Sequence, residues 1–380
     1  MRRATLISIT VAGLFVLAAQ PAFALGVDPD TGIDMVAGNV YALHADGGWM
    51  YVGGKFWAIR DPNNHLICNA TNFVRFDEAT GQGDCTFTPA MPGQVEGIDV
   101  MGGFAYVGGD FGLLRVDLST GQVDSTFNPG VNNDVHTVLA APDGSGVYIG
   151  GAFGQVGTMK RAHLAFVNTD GSVGAWNPGA DDIVRRLRWS PNGYIVASGH
   201  FENVGGHFDQ SIAEINPDGS VNTSFDPDIP EVGAMTCFDT APTATVIYAA
   251  CGQKHNFTAA FDATTGAEIW RDFIGGNGES AALATVDGST QLFIGGHMGM
   301  RLSTSMPCPP TSTTTYLHAV VKIDPTTGTI DCSWDPHPVP DTHNLTGGWV
   351  EEVANGHLWL GGKFGKVDLV KHHGIARWTL

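Results

Sequence analysis

VLAAPDGSGVYIGGAFGQVGTMKRAHLAFVNTDGSV, residues 138–173, decides the fold. Two apolar stretches flank Asp143 and Gly144, a pair suited to the positive φ of a two-residue hairpin, so the stretch opens as two antiparallel strands. A variable loop follows, then a third strand at HLAFV from His163, a turn at Asp170 and Gly171, and a fourth strand. The second strand ends in paired small residues, and that ending recurs seven times: YVGGKF from Tyr51, YVGGDF from Tyr106, YIGGAF from Tyr148, VASGHF from Val196, YAACGQ from Tyr248, FIGGHM from Phe293 and WLGGKF from Trp359. The anchors Gly54, Gly109, Gly151, Gly199, Gly252, Gly296 and Gly362 lie between 42 and 66 residues apart, the signature of one structural unit with surface insertions. Four antiparallel strands per unit, repeated radially, predict an all-β, seven-bladed β-propeller.

Third-to-fourth turns occur at Gly81, Gly121, Gly171, Gly219, Gly266 and Gly328, but the seventh unit stops at IARWTL, before any fourth strand. TGIDMVAGNV from Thr31 aligns with TGQVDSTFNPG from Thr120. Residues 31–40 are therefore expected as the outermost strand of the last blade, closing the ring and removing an open edge. The domain expectation is a leader at residues 1–24 and one seven-bladed propeller over residues 25–380.

GGAFGQVGTMKRAHLAFVNTDGSV from Gly150, followed by AWNPG, resembles the delta-60 repeat family of β-propellers, as does GHFENVGGHFDQSIAEINPDGSVNTSFDP from Gly199. The resemblance extends over essentially the whole mature chain and is weakest in the fifth unit, where CGQKHNF departs from the anchor. It implies a secreted or surface propeller and carries no shared catalytic residue.

Residues 1–24 place Arg2 and Arg3 ahead of a short apolar run ending in AFA, a secretory signal with a cleavage pattern. No later segment is long and apolar enough to span a bilayer, so a released extracellular monomer without membrane insertion is expected. The net charge of -19 excludes nucleic acid as an expected partner. Six cysteines in an oxidising compartment imply disulfides. The repeat register puts Cys85 and Cys332 at equivalent fourth-strand positions with partners Cys68 and Cys308 upstream, and Cys237 and Cys251 on paired strands. The expected bridges are Cys68–Cys85, Cys237–Cys251 and Cys308–Cys332.

The long insertions and inter-blade linkers share one face, and recognition normally resides on scaffolded loops. Insertions concentrate at blades one, six and seven, where Trp57, Arg60, His65 and Trp349 are the candidate ligand-binding residues: the indoles for sugar faces, the cations and imidazole for hydroxyls or carboxylates. The catalytic candidates are His297, Arg301, Lys363, His372, His373 and Glu351. A lyase would take its base from His297, His372 or His373 and offset a substrate carboxylate with Arg301 or Lys363. Glu351 and Glu352 are adjacent on a strand and point to opposite faces, so a hydrolase would need a second carboxylate such as Glu96 or Glu279. His337, His343, His372 and His373 are the metal candidates, at a spacing that specifies no metal. The chain carries no HExxH, phosphate-binding loop, nucleophile elbow or dinucleotide fingerprint, and no cofactor is specified. The expected function is a non-catalytic module binding an extracellular glycan or protein through its loop face, with a glycan-active lyase or hydrolase and a metal-dependent oxidoreductase as alternatives.

Overall fold

The computed structural model describes residues 25–26, 28–227, 229, 235–253, 256–274, 276–299, 317–334, 336, 338–339, 347–367 and 370–380. Among them every regular element is a β-strand. Each anchor sequence forms the middle strand of an antiparallel sheet, hydrogen-bonded to an inner strand before it and a third strand after it. The inner strands are Met35–Asp46, Val95–Met101, Val135–Ala140, Val184–Trp189, Met235–Pro242, Asn277–Val286 and Gly347–Ala354. Each lies beside the inner strand of the next sheet, and the seventh lies beside the first. The apolar cores fill the gaps between successive sheets: Tyr106, Val147 and Ile149 between the second and third, and Val40, Val52, Trp359 and Ile375 between the seventh and first.

The paired glycines mark two close approaches. A Cβ on Gly53 would strike Val95 of the neighbouring sheet, and one on Gly54 would strike the carbonyl oxygen of Asn39 on its own inner strand. Gly108 and Gly109 repeat both contacts with Val135 and the Gln94 carbonyl. The motif is thus demanded by packing between sheets and by a kink in the inner strand rather than by positive φ.

The fourth strands are shorter than the repeat suggests. Two are described as strands, Gln122–Val123 and Glu268–Phe273, while the others are reduced to single bridges such as Phe76 with Gly83 and Ile323 with Ile330. Their sequences explain the brevity. In DCTF and DSTF the carboxylate of Asp84 or Asp124 accepts from the backbone N–H and hydroxyl of the residue two positions on, at 2.6–2.9 Å. That Asx-turn ends the strand and drops Phe87 or Phe127 into the core at 2% exposure. Arg75 and Arg115, on third strands, pair with those same aspartates.

The last sheet repeats this arrangement with a residue from the other end of the chain. Asp30 donates its backbone N–H to the Arg377 carbonyl at 2.7 Å, as Asp84 does to Arg75 and Asp124 to Arg115. Its carboxylate accepts from Arg377 Nε at 2.7 Å and from the Thr379 N–H and hydroxyl at 3.1 and 3.0 Å. Ile33, 1% exposed, sits against Gly81 as Phe87 sits against Gly121. Gly26 accepts the Trp334 indole N–H at 2.9 Å, and Leu25 joins the core between the sixth and seventh sheets.

The expectation that residues 31–40 form that outer strand is therefore corrected. Met35–Asp46 is the inner strand of the first sheet, with Met35 opposite Arg60 and Val40 opposite Gly54. The segment against the last sheet lies earlier, around Asp30. Thr31 and Gly32 resemble a repeat turn, but the buried Arg377 guanidinium, 7% exposed, selects Asp30 as its counter-charge and so sets the register.

Cys68–Cys85 and Cys237–Cys251 are bridged as expected. Cys332 is also disulfide-bonded, and its expected partner Cys308 lies outside the described residues.

Candidate binding site

At one position every inner strand slips register against its middle strand. The skipped residues are Tyr41, Glu96, His136, Arg185, Phe238, Glu279 and Trp349. An extra residue in one strand is left out of the ladder and its side chain is re-aimed. All seven line a single cavity of about 280 Å³, together with Gln94, Arg186 and His297. In six of the seven sheets the anchor glycine opposite the bulge makes room for it: a Cβ on Gly109, Gly151 or Gly296 would strike the carbonyl of the residue two before Glu96, His136 or Glu279. In the fifth sheet Cys251, paired with Cys237, and Ala250, paired with Asp239, stand opposite the bulge instead, and the expected anchor Gly252 pairs with Thr236.

Hydrogen bonds tie the ring into a defined electrostatic pattern. Glu96 accepts from Gln94 Nε2 at 2.6 Å and from His136 Nδ1. Burial pushes the Glu96 carboxyl up, but the hydrogen bonds from His136 and Gln94 and the His136 and Arg185 charges together outweigh it and leave the group below its ordinary value. Glu279 meets His297 Nδ1 at 2.7 Å, and Trp349 Nε1 donates to His297 Nε2 at 2.8 Å. An indole N–H can only donate, so His297 Nε2 is the acceptor and Nδ1 is the nitrogen that donates toward Glu279. The same logic applies to His200, whose Nε2 accepts from Arg185 Nε at 3.2 Å while Nδ1 meets the Thr236 hydroxyl at 3.1 Å. Burial, and then the Arg185 charge, lower the His200 pKa in the direction that tautomer requires. Trp349 stacks on Tyr41 with centroids 4.9 Å apart and planes 9° apart, forming an aromatic wall.

The channel behind the ring carries more charge. Asp239, fully buried, receives Arg188 at 3.1 and 2.8 Å, and Arg186 stands 3.8 Å away. A second cavity of about 270 Å³, toward the far ends of the inner strands, is lined by residues including Arg188, Thr240, Glu351 and Glu352.

Of the residues expected from sequence, the cavity brings together Trp349 and His297, with Glu96 and Glu279 as the carboxylates. Trp57 is elsewhere, on the extended second strand of the first sheet, 64% exposed. Arg60 donates to the Asn64 carbonyl and His65 pairs with Asp61, both in the hairpin beyond that strand. Lys363 ends the seventh middle strand without lining the cavity. His372 is buried, and the His373 carbonyl accepts from Val36 at the junction with the first sheet. Glu351 is 1% exposed against Ser280 and Gly295, and both it and Glu352 line the second cavity and feel the Arg188 and Asp239 charges. Arg301, His337 and His343 lie outside the described residues. Among the described residues no three His, Cys, Asp or Glu side chains are grouped to hold a metal ion.

Sequence reasoning missed Tyr41, His136, Arg185, Arg186 and Phe238 as members of one site. The signal was available in the anchors of six units, where the glycine identifies its opposite bulge once the hairpin is paired; in the fifth, Cys251 holds that position.

A family described as "Domain of unknown function (DUF5122) beta-propeller" matches residues 190–225. No curated protein sequence matches the chain. Among solved structures, the WD40 beta propeller domain of Doa1 is similar with a TM-score of 0.58 and 10% identity, covering 93% of this chain and 97% of that one. The computationally designed Ika8 protein gives 0.55 at 12% identity, covering 93% and 100%. These likenesses support an all-β propeller fold. Among the described residues no helix is long and apolar enough to cross a membrane.

Proposed function

We propose that this chain is a secreted, seven-bladed propeller of the delta-60 repeat type, with residues 25–33 completing the last blade, and that it binds an extracellular glycan in the funnel ringed by the seven bulge residues. One observation carries the reading: the same bulge in seven sheets converges residues of seven different settings, aromatic, acidic, basic and imidazole, on one cavity. Packing alone asks for apolar repeats at such positions, as it does at Val40, Val95, Val135 and Val184 just before four of the bulges. Two disulfides among the described residues and the leader at residues 1–24 favour export. The test is a glycan array probed with the full-length product and with Phe238→Ala and Trp349→Ala. Binding by the parent and its loss in both variants supports the reading; an array blank for the parent removes it.

A catalytic reading has one observation in its favour. His136 Nδ1 is held by Glu96, and Nε2 has no hydrogen-bond partner among the described residues, the arrangement of an oriented general base. Product released from bound glycan, and abolished by His136→Ala with binding retained, would establish it over simple binding.

A further inference from the structure

We propose that the funnel recognises an acidic sugar through its carboxylate, seated on Arg185 and Arg186; the inference rests on the glycan-binding reading above.

Most polar groups of the ring are already satisfied by one another. Both Glu96 oxygens are engaged, by Gln94 and His136. His297 and His200 each have both ring nitrogens engaged. Arg185 uses only Nε, on His200, and its two terminal nitrogens have no hydrogen-bond or ion-pair partner among the described residues. Arg186 is worse provided. Its nearest carboxylate, Asp239, is 3.8 Å away and is held by both oxygens to Arg188, so the buried Arg186 Nε makes no hydrogen bond.

Arg186 and Arg188 thus share the Asp239 carboxylate, and Arg185 has no carboxylate within ion-pair distance among the described residues, in a protein whose net charge is -19; the Glu96 charge acts on Arg185 and Arg186 only from farther off. Unpaired cations at a buried site are costly, and a planar fork of N–H donors matches a carboxylate in two-point geometry. The neighbouring ring positions complete the description of a ligand. Phe238, on the next inner strand, offers an apolar face for sugar C–H groups, and Glu279, one strand further, has one oxygen taken by His297 and the other available to a hydroxyl. Anion, C–H face and hydroxyl in sequence describe a uronic acid. The cavity, at about 280 Å³, is of the size that takes the end of a chain rather than a bulky ligand.

Isothermal titration of the full chain with trigalacturonate, its methyl ester, neutral trigalactose and a sulfated trigalactose tests this. The expected result is at least about tenfold tighter binding of trigalacturonate than of the ester or the neutral sugar, since a hydrogen bond to a charged group commonly exceeds the free energy of one decade. In Arg185→Gln, with melting confirming the fold, that preference disappears while the weak neutral binding stays. Equal binding of acid and methyl ester by the unmodified chain overturns the carboxylate assignment, whatever the variant does, and leaves the glycan reading standing. Preference for the sulfated sugar overturns it too. Absence of binding to any of the four overturns it together with the glycan reading if the array is also blank.

Discussion

Replacing Asp30 by alanine should loosen the last sheet and the whole domain with it. The carboxylate receives three hydrogen bonds from Arg377 and Thr379, at 2.7, 3.1 and 3.0 Å, and the Arg377 guanidinium that would lose its partner is 7% exposed. Arg377 keeps its bonds to the Glu78 and Ala79 carbonyls, which limits the damage. Removing one partner of a well-buried ion pair costs about 3 kcal/mol at the lower end of the usual range. With an unfolding entropy of about 2 cal/mol/K per residue over roughly 350 residues, that is a fall of about 4 °C in Tm if the domain unfolds as a unit. Differential scanning calorimetry reads the shift, and hydrogen exchange reads its place. Asp84→Ala removes the same contact in the first sheet, to Arg75, and serves as the control. It should lower Tm similarly while leaving the amides of Ile375–Thr379 protected, whereas Asp30→Ala should expose them. Deleting residues 25–33 adds the loss of Leu25 and Ile33, each worth about 2 kcal/mol, and should bring the total near the net stability of an ordinary domain. An unchanged Tm in Asp30→Ala, or unchanged protection at residues 375–379, would refute the reasoning.

Two further outcomes concern buried titratable groups. Burial lowers the His372 imidazole to about 4, against about 6.5 in the unfolded chain, so between those values the unfolded state binds the extra proton and stability falls as pH is lowered. The loss should approach about 3 kcal/mol by pH 4, and in His372→Leu the Tm should vary less over that window than in the parent. Glu351 behaves oppositely: burial first, and then the Asp239 charge, push its carboxyl well above the ordinary range, so stability falls as pH rises above about 4.3, by about 1.4 kcal/mol per unit until the folded group ionises. Glu351→Gln, which mimics the neutral acid, should raise Tm at pH 8 and leave it unchanged at pH 4; a Tm lowered at both would show that the group is needed as a carboxylate.

The sequence by itself determined the repeat, and with it much that depends on local geometry. Gly81, Gly121, Gly171, Gly219, Gly266 and Gly328 all adopt positive φ at the expected turns, because a tight turn between strands is a property of two or three residues. Cys68–Cys85 and Cys237–Cys251 followed from the repeat register, since equivalent positions in equivalent units meet equivalent neighbours. Trp349 and His297 were also legible, Trp349 at the end of the long linker before the seventh unit and His297 directly after the anchor Gly296. Tertiary structure alone decided the rest. The register of the N-terminal segment depended on Asp30 finding Arg377 nearly 350 positions away, a contact that the nearer likeness of Thr31 and Gly32 to a turn concealed. The ring of Tyr41, Glu96, His136, Arg185, Phe238, Glu279 and Trp349 has no common residue type, only glutamate recurring, and a bulge breaks the two-residue alternation by which strand faces are read. Its members become one site only because sheets packed side by side bring seven kinks, six of them facing an anchor glycine and the fifth facing Cys251, to the same level of the funnel.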